Sequence, residues 1–210
     1  MRIISGQFKN KKIFQPKDKS TRPLKDLVKE SIFNIIEHSK FIKINIKNSQ
    51  VLDLFSGTGS FGLECISRGA KKVFFFENYI PAINVLEKNI NILNCNEKAE
   101  IFKKNIFEIL KKHEFLENSF EIIFLDPPFL EKEINSLLEI LIDKKLLTKN
   151  GIIILHRSKK NKDVFTEKFK ITISKKYGLS KIIFGNYWLL KTFLVSFFIN
   201  STEGWSKGLT

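Results

Sequence analysis

The chain has 210 residues, 43% hydrophobic and 28% charged, which suits one globular domain with a short appendage and excludes a chain disordered throughout. Lys and Arg number 36 against 22 Asp and Glu, a net charge of +14, which favours a polyanionic partner, nucleic acid before an anionic membrane surface. Two cysteines, Cys65 and Cys95, have no Cys-x-x-Cys or Cys/His spacing, so neither a disulfide framework nor a zinc site is expected.

The charge sits in the flanks: residues 1–50 hold 12 basic and 4 acidic side chains, and residues 151–210 hold 11 and 3. Met1 to Lys12 lacks the apolar run and cleavage pattern of a leader, so a cytoplasmic location is expected. Residues 1–48 read as a small basic extension carrying a helix over Leu24 to Ile36. In it Leu27, Val28, Ile32, Phe33, Ile35 and Ile36 recur at helical spacing, and Thr21-Arg22-Pro23 opens the first turn. Residues 49–187 alternate apolar β-rich runs with helical patterns, the mark of an α/β domain with a mostly parallel sheet. Strands are predicted at Val51 to Phe55, Val73 to Phe76, Glu100 to Lys103, Ile122 to Leu125, Ile152 to Leu155, Ile171 to Tyr177 and Lys181 to Phe184. Helices are predicted at Phe61 to Arg68, Pro81 to Leu93 and Ile134 to Leu147. Only Gly178-Leu179-Ser180 separates the last two strands, a hairpin spacing that makes one strand of the sheet run in reverse. Residues 188–210 form a tail of no assignable role. Its apolar run, Trp188 to Ile199, is interrupted by Lys191 and falls short of the roughly twenty residues a bilayer span needs.

The strongest local pattern is Asp53-Leu54-Phe55-Ser56-Gly57-Thr58-Gly59-Ser60-Phe61-Gly62, between an apolar strand and a helix. Glycines in such a loop permit a tight turn and close backbone approach to a ligand at the helix N-terminus. The second strand ends at Glu77, eighteen residues after Gly59, where a carboxylate can accept hydrogen bonds from ribose hydroxyls. The loop has no basic residue. Asp53 suits a zwitterionic adenosyl ligand, as partner for an ammonium group, better than it suits a dinucleotide.

The second pattern, Asp126-Pro127-Pro128-Phe129, lies at the carboxyl end of the fourth strand, where open α/β folds place their sites. Two prolines remove two N–H donors and leave acceptors: the Asp126 carboxylate and the nearby carbonyls. Such a turn fits a substrate that donates hydrogen bonds, such as an exocyclic amine, and Phe129 offers a face on which a planar base can stack.

Taken together these residues resemble the S-adenosylmethionine-dependent methyltransferases. The closer resemblance is to the bacterial small-subunit rRNA guanine-N2 methyltransferases of the RsmD type. It is carried by Arg2-Ile3-Ile4-Ser5-Gly6, Thr21-Arg22-Pro23, Val28 to Asn34, Asp53 to Glu64 and Asp126 to Phe129. The resemblance implies a Rossmann-like class I fold, with a seven-stranded sheet whose last strand is reversed. It implies S-adenosylmethionine as cofactor, with Asp53, Phe55, Gly57 and Gly59 on its methionine part and Ser56 and Thr58 in the same loop. Glu77 would then meet the ribose, Asn78 the adenine side, and Asn105, with Ile106 beside it, the adenine amine. Asp126 and the Pro127 carbonyl would accept the hydrogens of the target amine, with Pro128 shaping the turn and Phe129 stacking on a base turned out of its surroundings. Arg2, Lys9, Lys11, Lys12, Arg22 and Lys29 are the candidate phosphate contacts. Leu27 stands where this family usually has a basic residue.

The implied substrate is 16S rRNA, at the helix 31 loop in assembled small subunits, with no metal and no membrane partner, acted on by a monomer. Two alternatives use the same chemistry: methylation of a DNA adenine amine or of a protein glutamine amide. The glutamine enzymes usually begin the turn with Asn and end it with Tyr, and the DNA enzymes usually carry a separate recognition domain; neither feature is present. A third alternative is a catalytically silent RNA-binding or assembly module.

Overall fold

The computed structural model describes residues 1–16, 24–111 and 119–187. Thr21, Arg22 and Pro23, and the tail 188–210, lie outside them. In chain order the elements are α1 (Asp26–His38), β1 (Gln50–Leu54), α2 (Ser60–Ser67), β2 (Lys72–Phe76), α3 (Ile80–Ile92) and β3 (Ala99–Phe102). Then come α4 (Ile106–Lys111), β4 (Phe120–Leu125), α5 (Ile134–Asp143), β5 (Leu147–Ser158), β6 (Phe169–Tyr177) and β7 (Ser180–Tyr187). Among the described residues no helix is long and apolar enough to cross a membrane.

The seven strands form one sheet in the order β3-β2-β1-β4-β5-β7-β6. β1 pairs in parallel with β2 and β4, β2 with β3, and β4 with β5, whereas β7 is antiparallel to both β5 and β6. The last strand in the chain is therefore the one reversed strand, inserted beside β5, as the hairpin spacing predicts. Side chains alternate between the two faces. Val51, Val73, Phe75, Ile122 and Phe124 face one core with α1, α2 and α3. Leu52, Leu54, Phe74, Phe76, Ile123 and Leu125 face the other, with α4 and α5. Both faces are covered, which explains the unbroken apolar runs; each fully buried side chain of this size contributes about 1.5–3 kcal/mol.

The N-terminal extension is built into the first core rather than appended to it. Ile3 and Ile13 are buried there, and Phe61 of α2 stacks on Phe33 of α1 at 5.2 Å and on Phe124 of β4 at 4.0 Å. The polar anchor is Glu64 of α2. Its carboxylate accepts the Ile4 N–H (2.7 Å) and the Ser5 N–H (2.9 Å), with Arg68 Nε at 3.0 Å and Lys29 Nζ at 3.6 Å.

Most boundaries shift by a few residues from the sequence reading, and α4, α5 and β5 show why. The apolar pattern does not single out α4; this helix starts after Asn105, whose side chain accepts the Phe107 N–H at 2.9 Å. α5 stops at Asp143 instead of reaching Leu147, because Lys145 turns the chain with a left-handed φ of 53° and Leu147 already begins β5. β5 runs on to Ser158 because β7 pairs with it as far as Ser180.

Candidate active site at the carboxyl ends of the central strands

β1, β2 and β4 end side by side, so the turns that follow them converge. Asp53, the penultimate residue of β1, is 1% exposed. Its Oδ2 accepts the Gly62 N–H of α2 at 3.0 Å, while Oδ1 is buried without a hydrogen-bond partner among the described residues. Burial pushes the Asp53 carboxyl well above the usual range; the Gly62 N–H opposes the shift, and the nearby Asp126 and Glu77 charges add to it. Phe55 sits at φ 62°, a conformation that costs a bulky L-residue energy and tends to occur where a site demands it. Gly59 caps α2 in the left-handed region, and a Cβ there would lie 2.4 Å from Leu86 Cδ1. A Cβ on Gly62 would meet the Phe75 ring at 2.3 Å, so this glycine lets α2 lie against β2.

Glu77 closes the loop from β2. Its Oε2 accepts the Gly57 N–H at 2.7 Å, and Oε1 accepts the Asn78 and Tyr79 N–H groups, each at 2.9 Å. Across the gap, Asp126 follows β4, and its N–H reaches the Leu54 carbonyl at 3.4 Å. One Asp126 oxygen, Oδ1, lies 2.8 Å from Nδ1 of His156 on β5, whose Nε2 lies 2.8 Å from Ser180 Oγ. The Phe129 ring meets the same imidazole edge-on at 5.8 Å. Arg157, the next residue, donates to the carbonyls of Pro128 (3.2 Å) and Glu131 (2.8 Å) and pairs with Asp163. Asn161 donates to the Phe129 carbonyl at 2.8 Å.

These groups enclose a cavity of about 500 Å3. Asp53, Phe55, Ser56, Gly57, Thr58, Glu77 and Asn78 line one side, and Asp126, Pro127, Pro128 and Phe129 the other. Gly59 does not line it and acts by shaping the turn. Asn105 and Ile106 line a smaller adjoining cleft, about 170 Å3, that shares Phe55, Glu77, Asn78 and Pro128 with the main cavity. A deeply buried carboxylate oxygen with no partner is what an ammonium group would satisfy, and the two joined spaces suit an elongated adenosyl amino acid. The residues present fit S-adenosylmethionine.

The phosphate candidates separate. Arg2, Lys9, Lys11 and Lys12 are exposed on the N-terminal segment, and Arg22 lies outside the described residues. Lys29 is a correction: it is fully buried, donates to the Arg2 carbonyl at 2.7 Å and sits by Glu64. Burial lowers its pKa, with Glu64 opposing the shift. Its ammonium is enclosed and does not face a polyanion. Leu27, counted in the apolar stripe of α1, is exposed instead.

Gln15, Phe61 and His156 are among the contributors that escape the sequence reading. Gln15 lines the cavity and donates to Thr58 Oγ1 at 3.1 Å; nothing in the local sequence marks it. Phe61 also lines it, from within the glycine motif. His156 has one legible signal, a histidine directly after the apolar run of the fifth strand.

The strand order, the single reversed strand and the placing of the loops define a Rossmann-like class I methyltransferase fold. A solved Escherichia coli protein shares it with a TM-score of 0.74 at 24% identity, over 89% of this chain and 97% of that one. A Haemophilus influenzae protein assigned as a methylase shares it with a TM-score of 0.70 at 30% identity, over 89% and 98%. The family described as Conserved hypothetical protein 95 matches residues 1–186. The ribosomal RNA small subunit methyltransferase D of Haemophilus influenzae is 32% identical over 180 residues, 85% of this chain and 90% of that protein. The chain belongs to this family, the one its sequence resembles.

Proposed function

We propose that the protein binds S-adenosylmethionine and methylates the exocyclic N2 amine of a guanine in 16S rRNA, in the loop of helix 31 of assembled small subunits. The observation that carries the reading is a single cavity with the unpartnered Asp53 oxygen on one wall and the acceptor-only Asp-Pro-Pro turn on the other. When bound, S-adenosylmethionine supplies a sulfonium methyl to the amine nitrogen, whose lone pair forms the N–C bond while the S–C pair stays on sulfur.

The remaining work belongs to the chain. Asp53 pairs with the ammonium end, Glu77 accepts from the ribose hydroxyls, and Asn105 lies in the adjoining cleft for the adenine. Asp126 and the Pro127 carbonyl accept the two amine hydrogens, which turns the nitrogen lone pair out of conjugation and aims it along the transfer axis. Catalysis of this kind is chiefly orientation with an electrostatic contribution. A proton then leaves the methylated nitrogen to Asp126 or water. The name of the Haemophilus influenzae relative supports ribosomal RNA as the substrate class, and the exposed Arg2, Lys9, Lys11 and Lys12 supply phosphate contacts.

The test is transfer of labelled methyl to small subunits, naked 16S rRNA, DNA and release factor in parallel, followed by nuclease digestion. N2-methylguanosine from the ribosomal substrates alone is the expected result; label in DNA or protein would overturn the reading.

A further inference from the structure

The Asp126 carboxylate has a partner that the methyl-transfer chemistry does not account for. His156 is 3% exposed and Asp126 12%, and both imidazole nitrogens are committed to side chains: Nδ1 to Asp126 Oδ1 and Nε2 to Ser180 Oγ, each at 2.8 Å. A carboxylate only accepts hydrogen bonds, so in this pair Nδ1 carries a proton, while Nε2 shares a hydrogen bond with the Ser180 hydroxyl, which can donate or accept. Ser180 opens β7 and pairs with Ser158 at the end of β5, so the reversed strand supplies the group that holds the far side of the ring. The same imidazole meets the Phe129 ring edge-on. One side chain thus touches the first and the last residue of the Asp-Pro-Pro-Phe turn. Within that turn Pro127 and Pro128 offer no N–H with which to hold the carboxylate.

We propose that His156, fixed by Ser180, is a positioning residue that aims the Asp126 carboxylate at the amine of the target base; the inference rests on the methyl-transfer reading above. A bond from Nδ1–H to a carboxylate is charge-assisted and directional. Orientation matters here because the lone pair of a ring-conjugated amine must be steered, and a misplacement of about 1 Å can cost on the order of a hundredfold in rate.

The experiment uses the full chain with unmodified small subunits and three variants, His156→Leu, His156→Asn and Ser180→Ala, each first checked for folding by thermal melting. His156→Leu should lower kcat on the order of 10- to 100-fold while the Kd for S-adenosylmethionine, measured by calorimetry, stays within about twofold. His156→Asn, whose amide N–H can stand in for Nδ1–H, should recover most of that loss. Nitrogen-15 NMR of the imidazole should show a protonated Nδ1 in the unaltered protein and a shifted Nε2 resonance in Ser180→Ala. If His156→Leu keeps full kcat, if Leu and Asn lose it equally, or if the neutral ring carries its proton on Nε2, the inference is overturned while the methyl-transfer reading stands. An unaltered protein that binds cofactor and transfers nothing would overturn that reading and this inference with it.

Discussion

Asp53, proposed above to pair with the ammonium group of the cofactor, costs the cofactor-free protein stability. Its carboxylate is buried with one oxygen unpartnered and its pKa is raised by burial. Above the ordinary carboxyl value of about 3.9, the folded state therefore holds a proton that the unfolded chain has released. As pH rises through that window the native state loses stability relative to the unfolded one, whereas below it both states are protonated and the residue is silent. An asparagine side chain at this position keeps an oxygen for the Gly62 N–H and carries no such charge. Asp53→Asn should raise the melting temperature of the cofactor-free protein at pH 7 to 8, with a difference that shrinks toward about pH 4. Its affinity for S-adenosylmethionine should fall on the order of tenfold or more, as loss of a charged hydrogen bond implies. Scanning calorimetry across pH and titration calorimetry read the two effects, and a variant both less stable and equally tight would contradict the assignment.

Between elements, the decisive contacts are polar and buried. Glu64 ties α2 to the N-terminal segment through Ile4 and Ser5 and to α1 through Lys29. Glu64→Ala leaves the Lys29 ammonium buried with only the half-exposed Asp26 carboxylate, at 3.9 Å, and should cost about 3–5 kcal/mol in urea unfolding, with early proteolysis near residue 5; a loss under about 1 kcal/mol would mean the segment is held by apolar packing alone. This anchor also marks where sequence reading reaches its limit. The residues after β1, β2 and β4 are legible because chemistry-bearing side chains directly follow apolar runs, and the parallel sheet brings those ends together. Lys29 is not, because its burial depends on a carboxylate 35 positions away and on the Arg2 carbonyl. α4 has six residues, too few to show a period, and depends on Asn105 to start it. His156 falls outside the predicted fifth strand because the apolar run ends at Leu155, whereas pairing with β7 continues the strand to Ser158.

At the scale of the whole molecule, a net charge of +14 predicts binding to RNA that weakens steeply with salt, since each neutralised phosphate releases counterions. The structure divides the basic residues into two sets, and the sets should behave differently. Lys9→Ala, Lys11→Ala and Lys12→Ala combined should weaken binding to small subunits and flatten its salt dependence by about two to three units of slope. Lys29→Met, which removes an enclosed ammonium, should leave that slope unchanged; filter binding from low to moderate salt makes the comparison, and equal slopes for all three proteins would mean that the N-terminal segment does not face the RNA.

The proposed chemistry requires one carboxylate, that of Asp126, to act on the substrate and not on the cofactor. Single-turnover transfer of labelled methyl from S-adenosylmethionine to unmodified small subunits, by the unaltered protein and by Asp126→Ala, with cofactor affinity measured on the same samples, tests it most directly. Asp126→Ala should reduce transfer on the order of a hundredfold or more with cofactor affinity held within a few fold; an Asp126→Ala protein that transfers methyl at the original rate would overturn the proposed role of this carboxylate.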